Sequence, residues 1–211
     1  MTPSLVGRSP LLDRALAVAA WAHRGQVRRS WPRPYVEHCV EVAEVLAAHG
    51  VEDERLLAAA LLHDVLEDTD VGADELARLF GEDVVALVEA LSEDARRPHD
   101  ERKAAHLRRL RAAPAGAVLV FAADKLVGVR DLAARLSAPA ADHPPLTGTV
   151  DAKLAHAREA LALAELVPPG SRALFDELEG ALEQAEGLRG TLLPTRVKKQ
   201  CHMSFNRDDD G

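Results

Sequence analysis

The 211-residue chain predicts an all-α fold, on three observations. Alternation of apolar and polar residues with period two is nowhere sustained. Ala, Leu, Arg and Glu, all good helix formers, recur instead at helical spacing. Pro, Gly and small capping residues interrupt these runs where helices would have to start or stop.

Ser9-Pro10 opens a first helix, with Ser as the cap and Pro where its missing N–H does no harm. Leu11, Leu12, Ala15, Leu16 and Ala19 carry it to about His23, and Gly25 follows. A second helix is expected from about Pro34 to His49, stopped by Gly50, and a third from about Glu52 to Leu66. Two shorter helices, about Ala73 to Phe80 and Glu82 to Leu91, part at Gly81. A basic helix from about Asp100 to Ala112 leads to Pro114. The next, about Ala115 to Leu136, is apolar enough to be central and carries one carboxylate, Asp124, into that setting. Pro and Gly then mark a loop over 137–149, and two helices, about Val150 to Leu166 and Ser171 to Leu188, buttress the bundle. Residues 1–190 read as a single domain, and 191–211, without helical pattern, as a disordered C-terminal tail.

Composition narrows the setting. A hydrophobic content of 47% is enough for one ordinary core. Cys39 and Cys201 form no disulfide framework, which fits a reducing cytoplasm. Neither a secretory leader nor an apolar run of the roughly 18 residues needed to span a membrane is expected. The net charge of -8 opposes binding to nucleic acid or an anionic membrane. Arg24, Arg28, Arg29 and Arg33 nevertheless form a local basic run, and screening over about 8 Å lets such a patch act almost independently. Oligomeric state is not legible.

The most informative stretch is Leu61-Leu62-His63-Asp64-Val65-Leu66-Glu67-Asp68-Thr69. In one continuous helix His63 would lie over Glu67 and Asp64 over Asp68, converging imidazole and carboxylates on a small patch. Such donors suit a divalent ion such as manganese, iron or zinc with positions left open for water. The bland alternative is a polar helix end. His38 upstream and Asp124 downstream supply further donors.

The order H…HD…D, with the doublet inside HDVLEDT and the last Asp inside ADKL, resembles the HD-domain metal-dependent phosphohydrolases. Within them, Ala22-His23-Arg24-Gly25-Gln26-Val27-Arg28-Arg29-Ser30, then Pro34-Tyr35 and His38, is similar to the hydrolase domain of RelA/SpoT-type (p)ppGpp enzymes and their stand-alone metazoan members. The likeness runs from about Leu11 to about Leu136. It implies an HD-domain helical bundle in which His38, His63, Asp64 and Asp124 hold a divalent ion, foremost Mn2+. It also implies that Glu67 and Asp68 position and activate the attacking water. Arg28, Arg29 and Ser30 match the nucleotide-contacting loop, Arg28 being suited to base stacking, and Lys125 would offset phosphate charge. The implied activity removes the 3′-diphosphate of a small nucleotide, (p)ppGpp, as pyrophosphate, and a chain of this length would carry hydrolysis without synthesis.

Three departures stand out: Gly128 where the family commonly has Asn, Cys39 where Pro often follows the first His, and Trp31-Pro32-Arg33 in place of a shorter turn. They leave two alternatives open. One is a phosphohydrolase of another nucleotide or of a phosphorylated dinucleotide cofactor, and the other is a module that senses a nucleotide without cleaving it.

Overall fold

The computed structural model describes residues 5, 7–28, 32–93, 98–138 and 150–192. Arg29 and Ser30, most of the expected 137–149 loop, and the expected tail from residue 193 onward lie outside the described residues. Helices dominate, and among the described residues the β-structure is a lone bridge between Val27 and Pro34.

Helix α1 (Pro10–Ala22) starts as its sequence predicts, the Ser9 hydroxyl accepting the Leu12 N–H at 3.3 Å. It turns Leu12, Ala15 and Ala19 inward. After it, residues on either side of 29–31 pair, with Arg28 N–H donating to the Arg33 carbonyl and Tyr35 N–H to that of Gln26. This delivers the chain to α2 (Val36–Ala48), which buries His38 and Cys39 beside Val42, Ala43, Val45 and Leu46.

Helix α3 (Glu54–Leu62), capped by Asp53, is the axis of the fold. Every residue from Leu56 to Leu62 is buried, because α1, α2, α6 and α8 enclose it. Each of its leucines contributes roughly 1.5–3 kcal/mol through burial. The expected third helix, 52–66, is corrected here: α3 ends at Leu62, and the chain resumes as the short α4 (Val65–Asp68). The His63 ring donates from Nδ1 to the Ala60 carbonyl at 2.8 Å, a local bond of the kind that competes with helix continuation. Asp64 follows at φ -98°, ψ -3°, in the sparsely populated bridge region.

Helices α5 (Ala73–Phe80) and α6 (Glu82–Leu91) part at Gly81, whose φ of 83° is left-handed. Helix α7 (His99–Ala112) leads to α8 (Ala115–Ser137), the long apolar helix that packs against α2, α6, α9 and α10. Helix α9 (Val150–Leu161) is shorter than the expected 150–166: a 3-10 turn, Ala164–Leu166, follows it, and the coming Pro168 disfavours helical backbone at Val167. Helix α10 (Arg172–Leu192) closes the bundle over α8 and α9. Among the described residues no helix is long and apolar enough to cross a membrane.

Candidate active site

Three elements distant in sequence meet at one end of α3. Helix α2 brings His38, the α3–α4 junction brings His63 and Asp64, and α8 brings Asp124. His38 Nε2 lies 3.2 Å from Asp124 Oδ1 and 3.7 Å from Asp64 Oδ2, and His63 Nε2 lies 2.9 Å from Asp64 Oδ2. Ligand atoms of His38, His63 and Asp124 all fall within 4.8 Å of one another, a grouping that could hold a metal ion. The doublet sits where α3 gives way to α4, at the end of α3 that α2 and α8 pack against.

The tautomer of His63 is fixed by its neighbours. A carbonyl can only accept, so Nδ1 carries the proton given to Ala60, and Nε2, which faces the acids, is the nitrogen left for a metal ion. That buried Nε2 approaches Asp64 Oδ2 at 2.9 Å without hydrogen-bond geometry, and His38 Nδ1 has no hydrogen-bond partner. Two imidazoles and two carboxylates with an orphaned ring nitrogen fit a borderline divalent ion. Neighbouring groups orient the carboxylates as well: the Tyr35 hydroxyl donates to Asp64 Oδ2 at 2.7 Å, and Lys125 Nζ donates to Asp124 Oδ2 at 2.6 Å while lying over the Phe121 ring. Burial pushes the His63 imidazole down, but Asp64 outweighs it and the net is upward, to about 9. Burial pushes Asp124 up, yet Lys125 and His38 hold it well below the usual carboxylate range.

Beside this cluster lies a cavity of about 660 Å³ whose wall includes Gln26, Arg28, Tyr35, His38, Asp68 and Asp124. The patch expected of His63, Asp64, Glu67 and Asp68 forms in part, Asp68 standing within electrostatic reach of Asp64 and His63. Asp68 faces the cavity, whereas Glu67 accepts the Glu93 N–H at 2.9 Å and lines a neighbouring cavity of about 630 Å³, which Asp68 also borders. Burial raises both the Glu67 and the Asp68 carboxyl. Gln26 accepts from His23 Nδ1 and donates to the Asp68 carbonyl, both at 2.8 Å, so the AHRGQ segment holds the Asp68 turn in place.

Arg28 lines the cavity with its guanidinium already shared between Glu41 at 2.7 Å and Asp131 at 3.0 Å. Arg29 and Ser30 lie outside the described residues. Lys125 is tied to Asp124, and Gly128 lies in the cavity wall. Sequence reasoning missed Asp131, Arg135 and Lys153, which complete that wall. The first two follow Asp124 at helical spacing and were findable; Lys153 arrives from α9 through packing alone. Tyr35 was visible as part of a motif, though not as the hydroxyl that holds Asp64.

Together these features define a helical-bundle protein with a His-Asp centre opening on a polar cavity. The HD domain family model matches residues 15–159, and the chain belongs to the HD-domain family. It is 41% identical over 120 residues to guanosine-3′,5′-bis(diphosphate) 3′-pyrophosphohydrolase MESH1 of Drosophila melanogaster, a match covering 56% of this chain and 66%, just under two thirds, of that protein. The Homo sapiens protein of the same name is 44% identical over 124 residues, covering 57% and 69% respectively. A solved structure of a metazoan ortholog of SpoT, which hydrolyses ppGpp and plays a role in starvation responses, superposes with a TM-score of 0.67 at 31% identity, over 87% of this chain and 98% of that one.

Proposed function

We propose that the chain is a metal-dependent guanosine-3′,5′-bis(diphosphate) 3′-pyrophosphohydrolase that releases pyrophosphate. The observation that carries this is the meeting of His38, His63, Asp64 and Asp124 beside a cavity bordered by Asp68, in a chain similar to enzymes of that name. Those four residues would hold the ion, with Mn2+ as our assignment. When bound, a divalent ion supplies Lewis acidity, offsetting phosphoryl charge and making water a better nucleophile near neutral pH.

The remaining work belongs to the protein. Asp68, facing the cavity, orients a water and takes its proton, and Glu67 steadies the turn from the far side through the Glu93 N–H. Water adds to the phosphorus of the 3′-diphosphate, the bond from that phosphorus to the ribose 3′-oxygen breaks, and the 3′-oxygen leaves with a proton. Tyr35 and Lys125 hold Asp64 and Asp124 in place throughout. Arg28, with Arg29 and Ser30 in the same loop, is our choice for the nucleotide contact. We place the enzyme in the cytoplasm, with a small nucleotide as its partner and neither nucleic acid nor membrane.

A second reading draws on Gly128, where the wall is open: hydrolysis of another nucleotide or of a phosphorylated dinucleotide. Incubation with ppGpp and manganese, with chromatographic resolution of the products, decides between them. Pyrophosphate and GDP should form with wild type and not with Asp64→Asn. Cleavage of a different nucleotide alone would favour the second reading, and full activity of folded Asp64→Asn would sink the metal assignment.

A further inference from the structure

Helix α8 presents Asp124, Gly128, Asp131 and Arg135 to the 660 Å³ cavity, successive residues of one helical face. At Gly128, one turn beyond Asp124, that face carries no side chain, and a Cβ built there would meet nothing within 4 Å. Helix α9 packs against α8 and sets Lys153 in the same wall. Among the described residues the other cations here already have work: Arg28, our nucleotide contact, also pairs with Glu41 and Asp131, Lys125 pairs with Asp124, and Arg135 is buried at 2% exposure. Lys153 enters no ion pair among the described residues and keeps much of its surface at the rim, within electrostatic reach of Asp124 and Asp131, the acids that bracket Gly128.

We infer that Lys153 is a substrate-contacting residue, its ammonium meeting the diphosphate that stays with the product nucleotide, in the space left over Gly128. The cleaved diphosphate must lie at the His-Asp centre on the cavity floor, so the retained one points to the rim. In a chain of net charge -8, an exposed ammonium in the cavity wall is suited to offset that diphosphate. Loss of hydration lowers the Lys153 pKa, so the amine gains more from an anion than a freely solvated lysine does. The inference rests on the reading of the cavity as a polyphosphorylated-nucleotide site.

The test titrates metal-free protein with GDP, which carries only the retained diphosphate, and with guanosine, which carries none. Wild type should bind GDP more tightly than guanosine. Lys153→Met should weaken GDP binding by at least about tenfold, the scale of one charge-assisted hydrogen bond, and leave guanosine unchanged. Lys153→Arg should stay within about threefold of wild type, a rescue that a packing role would not give. In ppGpp hydrolysis the Met variant should raise KM far more than it lowers kcat. Lys153→Gln serves if the Met variant does not fold. Wild-type GDP affinity in a folded Met or Gln variant, or no binding of GDP by wild type, overturns the inference. Wild-type cleavage of ppGpp with Lys153-independent GDP binding removes the inference alone. Lys153-dependent GDP binding without cleavage removes the proposed activity and keeps the contact.

Discussion

At the scale of single residues, the centre is held by polar groups that would be unfavourable without their neighbours. Asp68 is one: loss of hydration and the nearby Asp64 raise its carboxyl above its ordinary value. A folded-state pKa above the unfolded one means that ionised Asp68 destabilises the fold at neutral pH and that this cost vanishes below the ordinary Asp range. Metal-free Asp68→Asn should therefore melt higher than metal-free wild type at pH 7, and the gap should close in acid, while turnover of ppGpp is lost. An equal or lower Tm at pH 7 would contradict the strained carboxylate. That His38, His63, Asp64 and Asp124 would meet was legible because the H…HD…D order resembles that of the HD-domain phosphohydrolases. The hydroxyl of Tyr35 on Asp64 and the place of Lys153 were not, since both depend on which elements meet in space.

Among the elements, the informative failure of sequence reasoning is the third helix. Apolar periodicity runs unbroken through Leu61, Leu62, Val65 and Leu66, and nothing in it registers the His63 ring turning back to Ala60. A second element is tied in a way charge patterning left unassigned: the basic helix α7 folds Arg102, Lys103 and His106 onto Glu93, whose own N–H holds Glu67. Burial raises the Glu93 carboxyl, but hydrogen bonds from His106 and Lys103 outweigh it and hold it well below the usual range. A depressed carboxylate stabilises the fold above its unfolded pKa and loses that contribution as the pH falls. Glu93→Gln should cost about 2 kcal/mol at pH 7, with the difference shrinking below the ordinary Glu range as wild type also loses the interaction. A pH-independent difference in unfolding free energy would show that the residue acts through packing alone.

For the molecule as a whole, the all-α class and most helix positions could be read from the sequence because helix punctuation is local. The cleft between α2, α4, α8 and α9 could not, because it is a product of packing. That cleft is joined by residues far apart in the chain: His38 from α2, the His63-Asp64 pair from the α3–α4 junction and Asp124 from α8. An ion that binds only when all three elements are docked must stabilise the whole fold, by about 2.7 kcal/mol when free metal stands at a hundred times its Kd. Manganese should therefore raise the Tm of wild type by several degrees in a concentration-dependent way, and chelator should reverse it. Asp64→Asn should lose most of the shift, because one proposed ligand and the Tyr35 bond that orients it are altered together. Lys153→Met should keep the full shift, since Lys153 stands at the rim and not in the His-Asp cluster. A wild-type Tm indifferent to manganese, zinc and iron would mean that the four residues form a polar structural core, and the hydrolytic reading would lose its foundation.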